Sequence, residues 1–377
     1  MNNSKNFRMI WLLIVGITVL LGCSQTLKQP NWCFGEHCGL NFPLGGGQIP
    51  NGNPAIMANE ACITQSDESG NLLFYSDGTN LWNSAHISVN SSLGGHHSTS
   101  QNIVIPRPGY INEYFLLIPP ASEQSSLNLR YAHIEVNGGT VTVLDQGIIL
   151  KQPVKYWAEA ITAIQSKGNG YWVIVYGGMD PGNTASNDLY VIAFNELTAG
   201  NLSNVQFFKQ NENIHHYRKA ACLKASPDCR YIALTGHKPT NAAGIALYQF
   251  DYSTGEIVGE KMISTSGDIT YSCSFSPNSN HLYFLNGYFY NDNEIQRYNL
   301  TSDSIDWSSI DNYVRGMQLG PDGQIYLARI GNNFLSRINN PNMASPTVTA
   351  QAISYTNWQG SIVKLRLPNM IDAKWDD

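Results

Sequence analysis

The sequence predicts an all-β fold built from one repeated hairpin, and three observations carry that expectation. Beyond residue 22 no stretch of convincing length keeps a helical period, whereas short β-branched and aromatic runs bounded by Gly, Pro, Asn and Asp recur throughout. Charged residues make up only 13% of the 377, about half the usual globular share. Glycine and tyrosine are abundant, at 33 and 20 residues, which is the composition of turns and half-buried sheet.

The first element is of another kind. In MNNSKNFRMIWLLIVGITVLLG, Lys5 and Arg8 precede an apolar run from Met9 to Leu21, and small Gly22 stands before Cys23, the three-part pattern of an export signal. The run is shorter than the roughly 20 residues a spanning helix needs, so cleavage is expected rather than permanent insertion. Leu20-Leu21-Gly22-Cys23 resembles the bacterial lipobox, which implies lipidation at Cys23 and a mature chain that begins there. An ordinary signal peptide with a chance cysteine at its end is the competing reading. Ser24 resembles the signal for outer-membrane rather than inner-membrane retention, with the periplasmic and surface faces both open. Residues 1–22 are thus read as signal peptide, 23–30 as a short lipidated tether and 31–377 as the folded domain.

The folded part then repeats an apolar strand, a tight turn and a second apolar strand. The unit appears as ACITQSDESGNLLFYSDG from Ala61, NIVIPRPGYINEYFLLIP from Asn102 and ITAIQSKGNGYWVIVYGG from Ile161. It returns as CLKASPDCRYIALTG from Cys222, CSFSPNSNHLYFLNG from Cys273 and MQLGPDGQIYLARIG from Met317. Pro227 and Pro321 preset φ, Asp228 and Asp322 bond to nearby amides, and Gly323 accepts a positive φ. The turns lie about 40 to 60 residues apart, the length of a four-stranded propeller blade, and radial stacking buries both faces of such sheets. Six hairpins are visible; NWCFGEHCGLNF and SIVKLRLPNM at the two ends each offer a strand for a closing blade. A single β-propeller of four-stranded blades is expected, with seven blades favoured over six.

The turns Ser226-Pro227-Asp228 and Gly320-Pro321-Asp322-Gly323 resemble those of WD-like and TolB-like propellers. More specifically, NWCFGEHCGLNF, SGNLLFYSDGTNLWN, STSQNIVIPRPG, LGPDGQIYLA and INNPN resemble the propeller module at the N-terminus of large cell-surface proteins of bacteria with type IX secretion. That resemblance covers almost all of residues 31 to 370 and implies a fold, with no catalytic residues to carry over. The sequence departs from it at Cys33, where an aromatic is expected, and at Cys229, where the turn glycine is expected. Nothing follows Asp377 where the family carries a sorting domain, which implies retention by lipid rather than release as type IX cargo.

Function is sought where inner strands begin, because their first residues gather at one channel mouth. Glu60, Thr99, Gln101, Glu159, Arg218, Tyr271 and Arg315 are the candidate mouth residues, with Ser98 and Lys219 beside them. Such a set makes a small-ligand pocket or pairs within itself and fills the channel. The doublets His96-His97 and His215-His216 precede inner strands, but alternation lets only one His of each face inward, so a solvated loop is preferred to a metal site. The loops 180–188 and 291–294 lack the spacing of a calcium loop. Tyr288, Phe289 and Tyr290 form the best surface aromatic cluster for sugar or peptide. Cys33 and Cys38 are placed to form a local disulfide, whereas Cys62, Cys222 and Cys273 read as buried strand residues.

No hydrolase elbow, zinc-helix motif or Ser-x-Asp-x-Gly-x-x-Trp box occurs. A net charge of −6 gives no basic footprint, so nucleic acid is not an expected partner. The expectation is a binding scaffold anchored to the outer membrane, recognising a protein partner or an envelope polysaccharide, without cofactor or metal. A glycan-active hydrolase or lyase using Glu60 and Glu159 as acid and base is the alternative, and a structural part of a secretion or motility apparatus is a third.

Overall fold

The structure, a computed structural model, describes residues 23–24, 29–43, 46–121, 128–150, 157–166, 170–177, 189–196, 207–210, 219–237, 244–265, 270–287, 293–372 and 374–375. Seven antiparallel sheets stand around one axis as the blades of a propeller. Blade 1 holds Asn31–Phe34, Cys38–Asn41 and Ile49–Asn51. Blades 2 to 7 each hold four strands in chain order, and their inner strands are Ile63–Ser66, Ile103–Pro106, Trp157–Gln165, Lys219–Ala225, Cys273–Phe275 and Val314–Leu319. The six expected hairpins are the inner two strands of these six blades.

The repeated turn has one construction. Ser226 Oγ accepts from the Tyr231 N–H at 2.9 Å and bonds Asp228 Oδ1 at 2.6 Å; Ser276 Oγ does the same with His281 N at 3.0 Å and Asn278 Oδ1 at 2.8 Å. The fourth residue is left-handed each time, with φ of 61° at Cys229, 60° at Ser279 and 72° at Gly323. Only glycine takes that φ without steric cost, so Cys229 does make its turn less relaxed, as the departure at this position implied. Cys33, Cys38, Cys62, Cys222 and Cys273 are thiols.

Apolar clusters seal the blades to one another. Phe115, Trp157, Val173 and Ile192 join blades 3 and 4, Tyr176, Leu223, Ile232 and Tyr248 join blades 4 and 5, and similar sets fill the other gaps. The cluster that closes the ring is the richest in aromatics. Trp32, fully buried, meets Phe42 at 4.9 Å and Tyr326 of blade 7 at 5.4 Å, both edge to face.

Both termini contribute to the closing blade, but unequally. NWCFGEHCGLNF supplies two strands, whereas SIVKLRLPNM supplies no regular strand. It touches blade 1 through one bridge, Glu36 N to Ile362 O at 2.9 Å and Ile362 N to Glu36 O at 3.0 Å. It then turns into the axial channel, where Leu365 N donates to Asn59 O at 2.8 Å and Asn369 N to Cys62 O at 3.0 Å. Beyond Asp372, Lys374–Trp375 pairs antiparallel with Cys23–Ser24.

The Asn31–Phe34/Cys38–Asn41 hairpin also corrects the local disulfide expected there. Phe34 stands opposite Cys38 and Cys33 opposite Gly39, so the two cysteine side chains leave opposite faces of the ribbon and cannot meet. Both are buried, and burial pushes both thiols up. In the same hairpin Gly35 has φ 56°, and a Cβ there would lie 2.5 Å from Ile362 O. Gly138, with φ 55°, has nothing within 4 Å of the same position. Urea unfolding should therefore show Gly138→Ala costing about 1–2 kcal/mol and Gly35→Ala at least twice as much. Equal losses would mean that the C-terminal bridge does not hold the ring closed.

Candidate functional site

The channel has a mouth, where inner strands begin, and an opposite end, where they finish. At the mouth the loop before blade 2 carries Glu60, the start of blade 3 carries Ser100, the inner strand of blade 4 carries Glu159, and Tyr271 leads into blade 6. Arg366 comes from the C-terminal segment. Ser100 Oγ lies 2.7 Å from Glu159 Oε2 and 3.1 Å from Glu60 Oε2, and the Ser100 N–H also donates to Glu159 Oε2 at 3.1 Å. A hydroxyl carries one proton, so when it donates to Glu159 the contact with Glu60 is satisfied by a proton on Glu60. Burial pushes the Glu60 carboxyl up to about 7, against the lowering influence of Arg366 and of a hydrogen bond from Tyr271. Arg366 Nη2 donates to Tyr271 O at 2.9 Å, and its guanidinium lies over the Tyr271 ring at 4.3 Å.

Below the mouth the channel is filled by the C-terminal segment. Asn369 Nδ2 donates to Asn102 O at 2.9 Å and Ile161 O at 3.1 Å, while its Oδ1 accepts from Gln101 Nε2 at 3.3 Å and Lys224 Nζ at 3.0 Å. Lys224, only 4% exposed, also donates to Gln318 Oε1 at 2.6 Å and pairs with Asp372 Oδ2 at 3.0 Å. Gln318 Nε2 donates to Asp372 Oδ1 at 2.9 Å. A buried cation needs both a counter-charge and hydrogen-bond acceptors, and here blade 7 and the segment supply them together.

Of the expected mouth residues, Glu60, Glu159 and Tyr271 do come together. Thr99 does not join them: its Oγ1 turns to Pro119 O at 3.4 Å. Gln101 lies deeper, strapping blade 3 to the Leu223 N–H and carbonyl at 2.8 and 3.0 Å and to the Ile161 N–H at 3.3 Å. Arg315 stays on the rim, where its Nη1 donates to Asn312 O and Val314 O, each at 2.9 Å. Ser98 stays in the loop, its N–H donating to His96 Nδ1 at 3.3 Å. Arg218, the Lys219 side chain, His215-His216, residues 180–188 and the aromatic cluster Tyr288, Phe289 and Tyr290 lie outside the described residues. His96 and His97 stack on each other at 4.6 Å, and His97 Nδ1 faces Asn59 Nδ2 at 3.5 Å. Among the described residues no three His, Cys, Asp or Glu side chains gather as a metal site.

Ser100, Arg366, Lys224, Gln318, Asn369 and Asp372 were not foreseen. The available signal was Lys364, Arg366 and Asn369 inside the largely apolar SIVKLRLPNM, with Asp372 close behind. Polar groups in a run read as a buried strand need buried partners, and these stand on blades 3 to 7, far away in sequence.

Glu60 gives the site a pH signature. Its folded value, about 7, lies above that of an exposed carboxyl, so its contribution to stability is full below about pH 4.5 and is lost as the pH rises through about 7. The loss has a ceiling of about 3 kcal/mol, from 1.36 kcal/mol per unit. Thermal unfolding between pH 5 and 8 should show the wild-type Tm falling relative to that of Glu60→Gln. Parallel curves would mean that Glu60 stays ionised throughout.

No protein-family model matches the chain, and no curated protein matches it. Solved structures do. A proposed 6-phosphogluconolactonase from Bacteroides uniformis aligns with TM-score 0.53 at 11% identity, over 89% of this chain and 98% of its own. The Dos1 propeller aligns with TM-score 0.49 at 10% identity, over 89% and 87%. TolB from Acinetobacter baumannii aligns with TM-score 0.39 at 9% identity, over 78% of this chain and 62% of that one. At such identities the likeness concerns the fold alone, and the chain is a β-propeller of seven blades.

Proposed function

We propose that the protein is a binding scaffold of the bacterial outer membrane, held by lipid on Cys23, that recognises a protein partner or an envelope polysaccharide through its mouth face. The carrying observation is that the axial channel holds the chain's own C-terminal segment, whose Asn369 and Asp372 side chains are bonded to Gln101, Lys224 and Gln318. Recognition is left to the loops around the mouth. Those leading into inner strands leave Met57, Ile310 and Tyr313 exposed at 61%, 78% and 56%, apolar groups that a partner surface would cover.

One observation favours the glycan-active reading. Glu60 is partly exposed, holds its proton near neutrality and is joined to Glu159 through one hydroxyl, an arrangement suited to general acid catalysis. Against it stands Glu159, which is 4% exposed and bonded by both the amide and the hydroxyl of Ser100, a structural environment for a would-be base.

Three results separate these readings. Cys23→Ala should move the full chain from the membrane pellet to the soluble fraction and remove an acyl mass from its N-terminal peptide; a Cys23 recovered unacylated, or engaged in a disulfide, overturns the anchor. Binding to isolated envelope polysaccharide or to a partner should fall about tenfold on Tyr313→Ala, close to 1.4 kcal/mol, and persist on Glu60→Gln. Turnover of a glycan that Glu60→Gln abolishes, with Tm retained, would replace the scaffold by the hydrolase or lyase.

A further inference from the structure

The N-terminal residues join the propeller at the end of the channel opposite the mouth. There the inner strand of blade 2 finishes at Ser66, and Gln29 Oε1 accepts from the Ser66 N–H at 2.7 Å. Asn31 Nδ2 donates to Ser66 Oγ at 3.1 Å and to Gly70 O, in the turn beyond that strand, at 2.8 Å. The chain from Cys23 to Gln29 reaches about 21 Å when fully extended. The nine-residue inner strand of blade 4, Trp157–Gln165, spans about 30 Å along the channel, so Cys23 stays on the Gln29 side. The C-terminal segment agrees. It runs from Arg366 at the mouth to Asp372, which is bonded to Lys224 and Gln318 near the finish of their strands, and beyond it Lys374–Trp375 pairs with Cys23–Ser24. One turn at this end has an apolar tip. Between the inner two strands of blade 3, Ile111 is 88% and Tyr110 46% exposed, and the Arg107 guanidinium lies over the Tyr110 ring at 3.5 Å. The equivalent turns of blades 2, 5, 6 and 7 read SDESG, SPDC, SPNS and GPDG.

We propose that the end of the propeller opposite the mouth is its membrane-contact face, with the Tyr110–Ile111 turn seated in the headgroup layer of the bilayer and the mouth turned away from it. The inference rests on the reading of Cys23 as the lipid-bearing residue. An acyl group there keeps this end within about 21 Å of the bilayer. A tether of that length holds the turn at high effective concentration over the lipid, so a small apolar contact is enough to seat it. Ile111 enters the acyl boundary, and Tyr110 stands at headgroup level, where its ring is apolar and its hydroxyl wet. A tether alone fixes no orientation, whereas a tether and a turn on different blades fix one. Charge contributes little, because Arg107 is paired with Glu113 at 2.5 Å and the neighbouring turn of blade 2 carries Asp67 and Glu68. The loops with Met57, Ile310 and Tyr313 then point to the far side, toward a partner.

The test places one fluorescent probe on the full chain purified from membranes, either on Thr140→Cys or on Tyr313→Cys at the mouth. Thr140 lies in the outer turn of blade 3, which adjoins the apolar turn through Val136 N to Asn112 O at 2.8 Å. The native thiols Cys33, Cys38, Cys62, Cys222 and Cys273 are buried and stay unlabelled in the folded protein. In phosphatidylcholine vesicles containing nitroxide-labelled lipid, the Thr140 probe should be quenched at least about threefold more than the Tyr313 probe. Adding Ile111→Asp, at an exposed position that leaves Tm unchanged, should remove about half of that quenching. Equal quenching of the two probes, or stronger quenching at Tyr313, overturns the orientation. Quenching at Thr140 that Ile111→Asp leaves intact overturns the lipid contact of the turn. A Thr140 probe shielded in lipid-free Cys23→Ala protein, increasingly with protein concentration, would seat a second copy on this face and also overturns it. The mass of the N-terminal peptide is read from the same samples. Without an acyl mass on Cys23 the anchor reading fails and the orientation with it, whereas an acyl mass with the mouth probe quenched fails the orientation alone.

Discussion

The structure depends on one desolvation problem. Inner strands that ring a narrow axis turn peptide and side-chain polar groups toward a space with little room for water, and each group left unpaired there costs about as much as a lost hydrogen bond. Residues 361–372 solve the problem from within. Asn369 alone satisfies the carbonyls of Asn102 and Ile161 and accepts from Gln101 and Lys224. Asp372 then neutralises Lys224, a cation that the channel could not otherwise hold. The ring is closed around a polar spine supplied by the same chain.

The chemistry of the molecule follows from where that spine lies. Arg366 lies over the Tyr271 ring and near Glu60, so its guanidinium opposes the upward push of burial on the mouth carboxyl. The mouth is assembled by the segment, although Glu60, Tyr271 and Arg366 are far apart in sequence.

Much of the architecture was legible because it is local. The Ser-Pro-Asp turns repeat in sequence and in hydrogen bonding, and the left-handed φ at Cys229, Ser279 and Gly323 is the physical content of the motif. Glu60, Glu159 and Tyr271 were found because the start of each inner strand is a place the repeat defines. Thr99 and Gln101 were misplaced because alternation along a strand predicts a face and not a depth: neighbours of Ser100, they point to Pro119 and to the spine. Arg366 and Asn369 fall in SIVKLRLPNM, read as a strand for the closing blade, since a two-residue period has no means of describing a segment that leaves its sheet after one bridge. The Cys33–Cys38 pairing failed on register, which depends on the three residues of the turn rather than on the spacing of the cysteines.

That the spine is C-terminal has a kinetic consequence. Residues 361–372 are synthesised after every strand of the seven blades, so each earlier intermediate is an open arc. The seam between its first and last sheets lacks Val363, Leu367 and Met370, and its Lys224 ammonium lacks a counter-ion. Such an arc is the form most exposed to association with other copies through Trp32, Phe42 and Tyr326, and it persists until one short segment finds the axis. Closing the ring then waits on that segment, and opening it again requires breaking the bonds of Asn369 and Asp372 along the axis.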